Sequence, residues 1–200
     1  MITLRPQDLP SPDAYRLLTS LVVPRPIAWV SSIGSDGSFN LAPFSFFNAV
    51  AGSPPTVMVS IGSRKGVPKD SLRNIRETGE FVVNIVSEEM LVAMNLTSKE
   101  YDYGVDEFKA SGLESEPSVE VYPPRVKDAA AALECRATQF IPVEGSAYTL
   151  VLGQVLRYHM RDGLLRPNGL VDGQLLRPVS RLGGAEYAAL GEVFELARPV

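Results

Sequence analysis

Three pieces decide the fold: the run Pro24-Arg25-Pro26-Ile27-Ala28-Trp29-Val30-Ser31-Ser32, the turn Gly34-Ser35-Asp36-Gly37, and the run Asn40-Leu41-Ala42-Pro43-Phe44-Ser45-Phe46-Phe47-Asn48. Two β-rich runs joined by a turn of Gly and Asp read as a hairpin. The second arm carries Pro43, which has no N–H to give to a ladder, so that arm belongs on an edge or at a bulge. Ser45 and Asn48 bracket Phe46 and Phe47, setting short hydrogen-bonding groups beside flat apolar faces. Two readings are open at this point. The hairpin is either a core element with solvated or turn-forming serines, or the seat of a planar heterocycle with polar edges.

Outward from the hairpin, residues 8–20 read as a short helical entry with Tyr15, Leu17, Leu18 and Leu21 on one side. Ser53-Pro54-Pro55 is a turn and Thr56–Ile61 a third strand. The loop from Gly62 feeds a helix that Asp70 or Ser71 would cap, that turns Leu72 and Ile75 inward, and that ends at Thr78-Gly79. Phe81–Val86 is a strand with almost no polar side, which predicts cover on both faces. Ser87 and two glutamates open the next helix, through Met90, Leu91, Met94 and Leu96. The Pro-interrupted region 98–128, with Tyr101, Tyr103 and Phe108, reads as a covering excursion or an interface. Two long strands near 130–142 and 147–160 turn at Glu144-Gly145. There is no internal repeat and no linker, so residues 1–200 read as a single domain. Many β runs with a few helices predict a mainly β fold with α, a closed antiparallel barrel with helices at its ends.

Composition bounds the function. Hydrophobic residues make up 45% and charged residues 21% of the 200, a globular balance. A net charge of −4 argues against a nucleic-acid or membrane-surface binder. No apolar run reaches a membrane span, and Met1–Pro6 holds no signal-peptide core, so the expected location is cytoplasmic. One Cys and one His cannot build a Cys/His zinc site, and no metal is expected. Cys135 reads as a core residue, with nucleophile as the other reading; His159 reads as a structural residue, with catalysis or substrate contact as the other reading.

The strongest physical signal is the stretch 62–76, where Arg64, Lys65, Lys69, Arg73 and Arg76 face Asp70 alone in an acidic chain. It runs into a helix N-terminus, whose free N–H groups favour an anion, and Ser60, Ser63 and Ser71 add hydroxyls. A phosphate monoester suits this set; a solvated basic face is the other reading. Walker, G-x-G-x-x-G and G-x-S-x-G signatures are absent.

The chain nonetheless resembles a known family. The runs Pro24–Ser31 and Asn40–Asn48, with Lys69-Asp70-Ser71-Leu72-Arg73-Asn74-Ile75, Gly79-Glu80-Phe81-Val82-Val83-Asn84 and the late Arg181-Leu182-Gly183-Gly184 with Tyr187, are similar to the flavin reductase-like family in its flavoredoxin-type branch. The resemblance implies a six-stranded antiparallel FMN-binding split β-barrel with flanking helices, and a homodimer with one FMN per subunit. By position it implies that Asn40, Ala42, Pro43, Phe44 and Ser45 line the flavin ring and ribityl chain. Phe46, Phe47 and Asn48 would continue the ribityl side, and Ser60, Ser63, Lys69, Asp70 and Ser71 would surround the phosphate. Arg25, His159, Arg181 and Tyr187 are the candidates for shaping the open face, with no certain catalytic residue. The implied function is an NAD(P)H-dependent flavin reductase passing electrons through bound FMN, with NAD(P)H as a dissociable reductant. Two alternatives share these pockets: a flavoredoxin-like carrier reduced by a protein partner, or an FMN-binding module without turnover. A protein electron acceptor or an oxygenase is a further expected partner.

Overall fold

The computed structural model describes residues 1–199. The hairpin forms where the sequence places it. Helix α1 (Ser11–Leu21) precedes strands β1 (Ala28–Ile33) and β2 (Phe39–Phe44). Their turn closes as Gly34 N–H donates to Ser38 O at 2.8 Å and Gly37 N–H to Gly34 O at 2.9 Å. Gly37 sits at φ 84°, a conformation that side chains disfavour. Strands β3 (Phe47–Gly52) and β4 (Pro55–Arg64), helix α2 (Asp70–Thr78), strand β5 (Glu80–Ile85), helix α3 (Leu91–Leu96) and the long pair β6 (Ala131–Pro142) and β7 (Tyr148–Met160) follow.

The antiparallel sheet runs β2-β1-β5-β6-β7-β4-β3. Its two end strands, β2 and β3, are consecutive in the chain and separated only by Ser45-Phe46. The sheet therefore curls until its ends meet at that bend, where Ser60 N–H donates to Phe46 O at 2.8 Å. Pro43 lies on end strand β2 opposite Trp29, the edge position its missing N–H requires. The resemblance implies six strands, and the hairpin reading took Asn40–Asn48 as one arm. The bend divides that arm, so seven strands make the path, with a short pairing of Ser63-Arg64 to Val67-Pro68 beside it.

Alternation along the strands feeds two cores. Ala28 and Val30 face the barrel interior with Phe81, Val83, Cys135 and Val151. Trp29 and Leu41 face outward, under Met90 and Met94 and under Phe108 and Val126 of the 98–128 excursion. Strand β5 divides likewise: Val82 packs with Val121 and Ala132, so both its faces are covered as its sequence predicts. Cys135 is fully buried in the barrel and burial pushes its thiol well up from the usual range, which makes it an inert core residue. The apolar side of α1 behaves differently: Leu17, Leu18 and Leu21 are exposed and only Thr19 is buried. No helix among the described residues is long and apolar enough to cross a membrane.

Within the outer core the Trp29 indole N–H donates to Thr97 Oγ1 at 2.8 Å, with both residues buried. Thr97→Val keeps the shape and removes the acceptor. It is expected to cost about 1–3 kcal/mol, read as a lower urea midpoint at unchanged slope.

Candidate functional site

Three clefts meet at Pro43. One, about 430 Å³, is bounded by Arg25, Ser45, Arg181 and Tyr187. The second, about 470 Å³, is bounded by Asn40, Ala42, Lys69, Asp70 and Ser71. The third, about 250 Å³, lies between Phe44, Phe46, Ser60 and Ser63. Ser45 borders the first and third and Lys69 the second and third, so the three are stretches of one groove along the β2 edge and the bend after it.

At one end stands the start of α2. Its N-cap residue is Lys69, not Asp70 or Ser71 as expected, and no side chain among the described residues accepts from its first amides. Asp70 instead approaches Arg73 at 3.5 Å, while buried Ser71 accepts Asn40 Nδ2–H at 2.9 Å. The amides of the first turn are thus open to an anion from the groove. The Lys69 ammonium lies 5.4 Å from the Phe44 ring centre and has no ion pair among the described residues. Burial holds its pKa below the ordinary lysine value; Arg64 adds to this and Glu100 opposes it.

The other cations of this stretch disperse. Arg64 pairs with Glu100, Arg73 stacks 4.3 Å from the Tyr103 ring centre, and Arg76 reaches Thr149 at 3.3 Å and the Phe140 ring. Lys65 occupies the tight turn at φ 48°. The predicted basic loop is a small hairpin plus a helix, and Lys69 is its one unpaired cation lining the groove.

The middle is aromatic. Phe46 sits between Tyr15 at 6.5 Å and Tyr148 at 5.8 Å between ring centres. At the far end, Arg25 is buried. Its Nη1 donates to Thr19 O and, at 2.8 Å, to Val22 O, and its Nη2 to Leu182 O at 2.9 Å, tying the end of α1 to the late chain. Arg181 donates to the Tyr187 hydroxyl and to Gly184 O.

Most predicted site residues therefore line one groove. Three do not. Phe47 turns toward the barrel core, and Asn48 is exposed on β3 with its Oδ1 accepting the Ala49 amide at 2.9 Å. The bend at Ser45-Phe46 resets the alternation that the sequence carried straight through. His159 contacts the buried Glu134 carboxylate, which also accepts the Val119 amide at 2.9 Å and the Glu120 amide. Burial opposes the charge of Glu134, but those amides and His159 together hold its pKa below the usual range. His159 thus belongs to a structural pairing away from the groove.

Among the groove residues that escaped the sequence, Tyr148 and Glu107 stand out. Tyr148 is the first residue of β7, and a Cβ on Gly62 would come within 3.1 Å of its ring. Glu107, in the excursion, is buried with Oε2 accepting the Leu41 amide at 2.9 Å. Burial, with Asp70 and Asp106 nearby, pushes its carboxyl up to about 7 against the pull of the Leu41 amide. Only the acid-rich context of a short helix preceded it in sequence.

Known proteins share this architecture. Nitrilotriacetate monooxygenase component B from Bacillus cereus superposes with a TM-score of 0.95 at 38% identity, over 98% of each chain. The 2-nitrobenzoate 2-nitroreductase of Pseudomonas fluorescens superposes at 0.90 and 32%, over 99% of this chain and 96% of that one. A Shewanella frigidimarina structure described by its split barrel domain superposes at 0.88 and 21%, over 97% and 96%, a likeness of fold alone. The model of the flavin reductase like domain matches residues 20–176, from just before the first hairpin to the segment after the last long strand. With the split barrel closed at the β2–β3 bend, that match places the chain in the flavin reductase-like domain family.

Proposed function

We propose that the groove holds FMN and that the protein is an NAD(P)H-dependent flavin reductase. The observation that carries this reading is the pairing of one lysine, without an ion pair among the described residues, with the uncapped start of α2 at one end of a groove whose floor is Pro43–Phe46. The residues fit the group. Lys69, the Ser60, Ser63 and Ser71 hydroxyls and the first amides of α2 suit a phosphate dianion. Asn40 and the Ala42–Ser45 backbone suit the polar edges of the ring system.

When bound, FMN supplies the electron-carrying chemistry, and the protein's part is to hold and orient it. Lys69 neutralises charge at one end while Asn40, fixed through Ser71 and Ser32, presents an amide toward the groove. Arg25 fixes the far wall through three backbone carbonyls. Hydride transfer to a flavin asks for no protein acid or base, so the groove needs none. A homodimer belongs to the same proposal: the exposed Leu17, Leu18 and Leu21 of α1 with Val22 after it, and end strand β3, exposed from Asn48 to Gly52, supply apolar surface for a second copy.

The purified protein is expected to keep added FMN, with flavin absorption that survives removal of excess and is bleached by NADH or NADPH without oxygen. A protein that keeps FMN but ignores both nicotinamides would leave the protein-reduced carrier reading. Lys69→Glu is expected to weaken FMN binding at least about tenfold at moderate salt, where screening of a surface charge is already strong. Fluorescence titration reads this directly, and unchanged affinity would move the phosphate elsewhere.

A further inference from the structure

The 430 Å³ cleft at the Arg181 end is lined by three guanidiniums, those of Arg16, Arg25 and Arg181, and by no carboxylate among the described residues. Arg16 is engaged with Asp13 at 3.3 Å at its outer edge. Neither Arg25 nor Arg181 has an ion pair among the described residues. A guanidinium carries five N–H donors. Arg25 gives all but one of them to Thr19, Val22, Leu182 and, at 3.5 Å, to Ser45, so it is a fixed positive wall. Arg181 gives only two, to Tyr187 and Gly184, and its guanidinium lies 4.5 Å from the Tyr187 ring centre. It is half-buried, held in one orientation, and left with three donors free. Burial first, and then the Arg181 charge, lower the Arg25 pKa against a raising effect of Tyr15. Both guanidiniums line the one cleft, so an anion entering it meets two positive charges.

We propose that Arg181, oriented by Tyr187 and backed by Arg25, forms a subsite for a second substrate, and that this subsite takes a small aromatic carboxylate. The walls decide the class. Tyr15, Ile27, Pro43 and Met94 give the cleft apolar faces suited to one ring. The planar fork of Arg181 matches a carboxylate attached directly to that ring. The phosphate-type determinants, an ammonium with hydroxyls and helix amides, lie at the opposite end of the groove. The proposal rests on the flavin reading only in calling the ligand a substrate; the binding claim stands on the cleft itself, which shares Pro43 and Ser45 with the rest of the groove.

Calorimetric titration with benzoate and with benzamide, its neutral counterpart, tests it on the purified protein with and without FMN. Benzoate is expected to bind at least about tenfold more tightly than benzamide. Arg181→Gln should erase that preference, and Arg181→Lys, which keeps the charge but loses the fork, should retain part of it. Equal binding of the two ligands overturns the proposal, as does a preference that survives Arg181→Gln. Displacement of benzoate by an equal concentration of inorganic phosphate also overturns it, in favour of a general anion hole serving a coenzyme phosphate. The lysine variant keeps the test open should the glutamine variant fold poorly. A protein that retains no FMN yet prefers benzoate sinks the flavin reading and leaves the subsite standing; retained FMN without the preference does the reverse.

Discussion

Gly153→Ala is expected to destabilise the protein by about 3 kcal/mol, the upper end of what overpacking a core costs. A Cβ built on Gly153 of β7 falls 2.4 Å from Cζ and 2.7 Å from Cε1 of Phe81, and 3.4 Å from Cβ of Cys135. Phe81 belongs to β5, and β6 lies between the two strands in the sheet. Its ring therefore lies across the barrel interior and fills the space that a missing side chain on β7 leaves. The ring is fully buried among Val83, Cys135 and Val151, so it has nowhere to swing. Urea unfolding of Gly153→Ala should show a lower midpoint at unchanged slope. Phe81→Leu shortens the ring's reach at its own cavity cost. The double variant should then be less destabilised than the sum of the two single changes, a coupling expected of residues in contact. A midpoint for Gly153→Ala equal to that of the parent would mean that the ring is free to move, and the packing argument would fail.

Legibility in the sequence tracks the range of the forces involved. The β1–β2 hairpin and the edge position of β2 rest on turn chemistry and on one missing N–H, both local to Gly34–Gly37 and Pro43, and they emerged as read. Lys69 was found because charge pattern and helix start coincide within a few residues. Its neighbours in the basic run were not separable from it in sequence. Their partners, Glu100 for Arg64 and the rings of Tyr103 and Phe140 for Arg73 and Arg76, are distant in the chain. His159 failed to join the groove for the same reason: the Glu134 carboxylate that takes it is on another strand. Phe47 and Asn48 were misplaced by a bend that carries no proline or glycine to announce it. The cap of α2 was misassigned because Asp70 and Ser71 favour that position by type, yet Asn40 and Arg73 engage their side chains. Position by position, local chemistry was readable and tertiary partnership was not.

Glu107 is the plainest case of such partnership, and Glu107→Gln is expected to remove most of a pH dependence of stability. In the folded protein its carboxyl is raised to about 7, mainly by burial and then by Asp70 and Asp106, against an ordinary value of 4.5. The fold therefore prefers the protonated form. The associated stability is complete below the unfolded value and is lost as pH rises through the window from about 4.5 to about 7. A shift of that width corresponds to about 3 kcal/mol. Glutamine keeps an oxygen for the Leu41 amide, which Glu107 accepts at 2.9 Å, and cannot ionise. The variant and the parent should thus unfold at similar urea midpoints at about pH 4.5, while at about pH 8 the variant should be more stable by about 3 kcal/mol. Parallel stability curves between those values would show that Glu107 ionises without cost, and that it is solvated in its cleft. The same carboxyl borders the groove stretch that holds Lys69 and Ser71, so its charge opposes any anion entering there. Anion affinity at that end should consequently fall from about pH 6 to about pH 8 in the parent and stay level in the variant, because only the parent acquires a second negative charge beside Asp70.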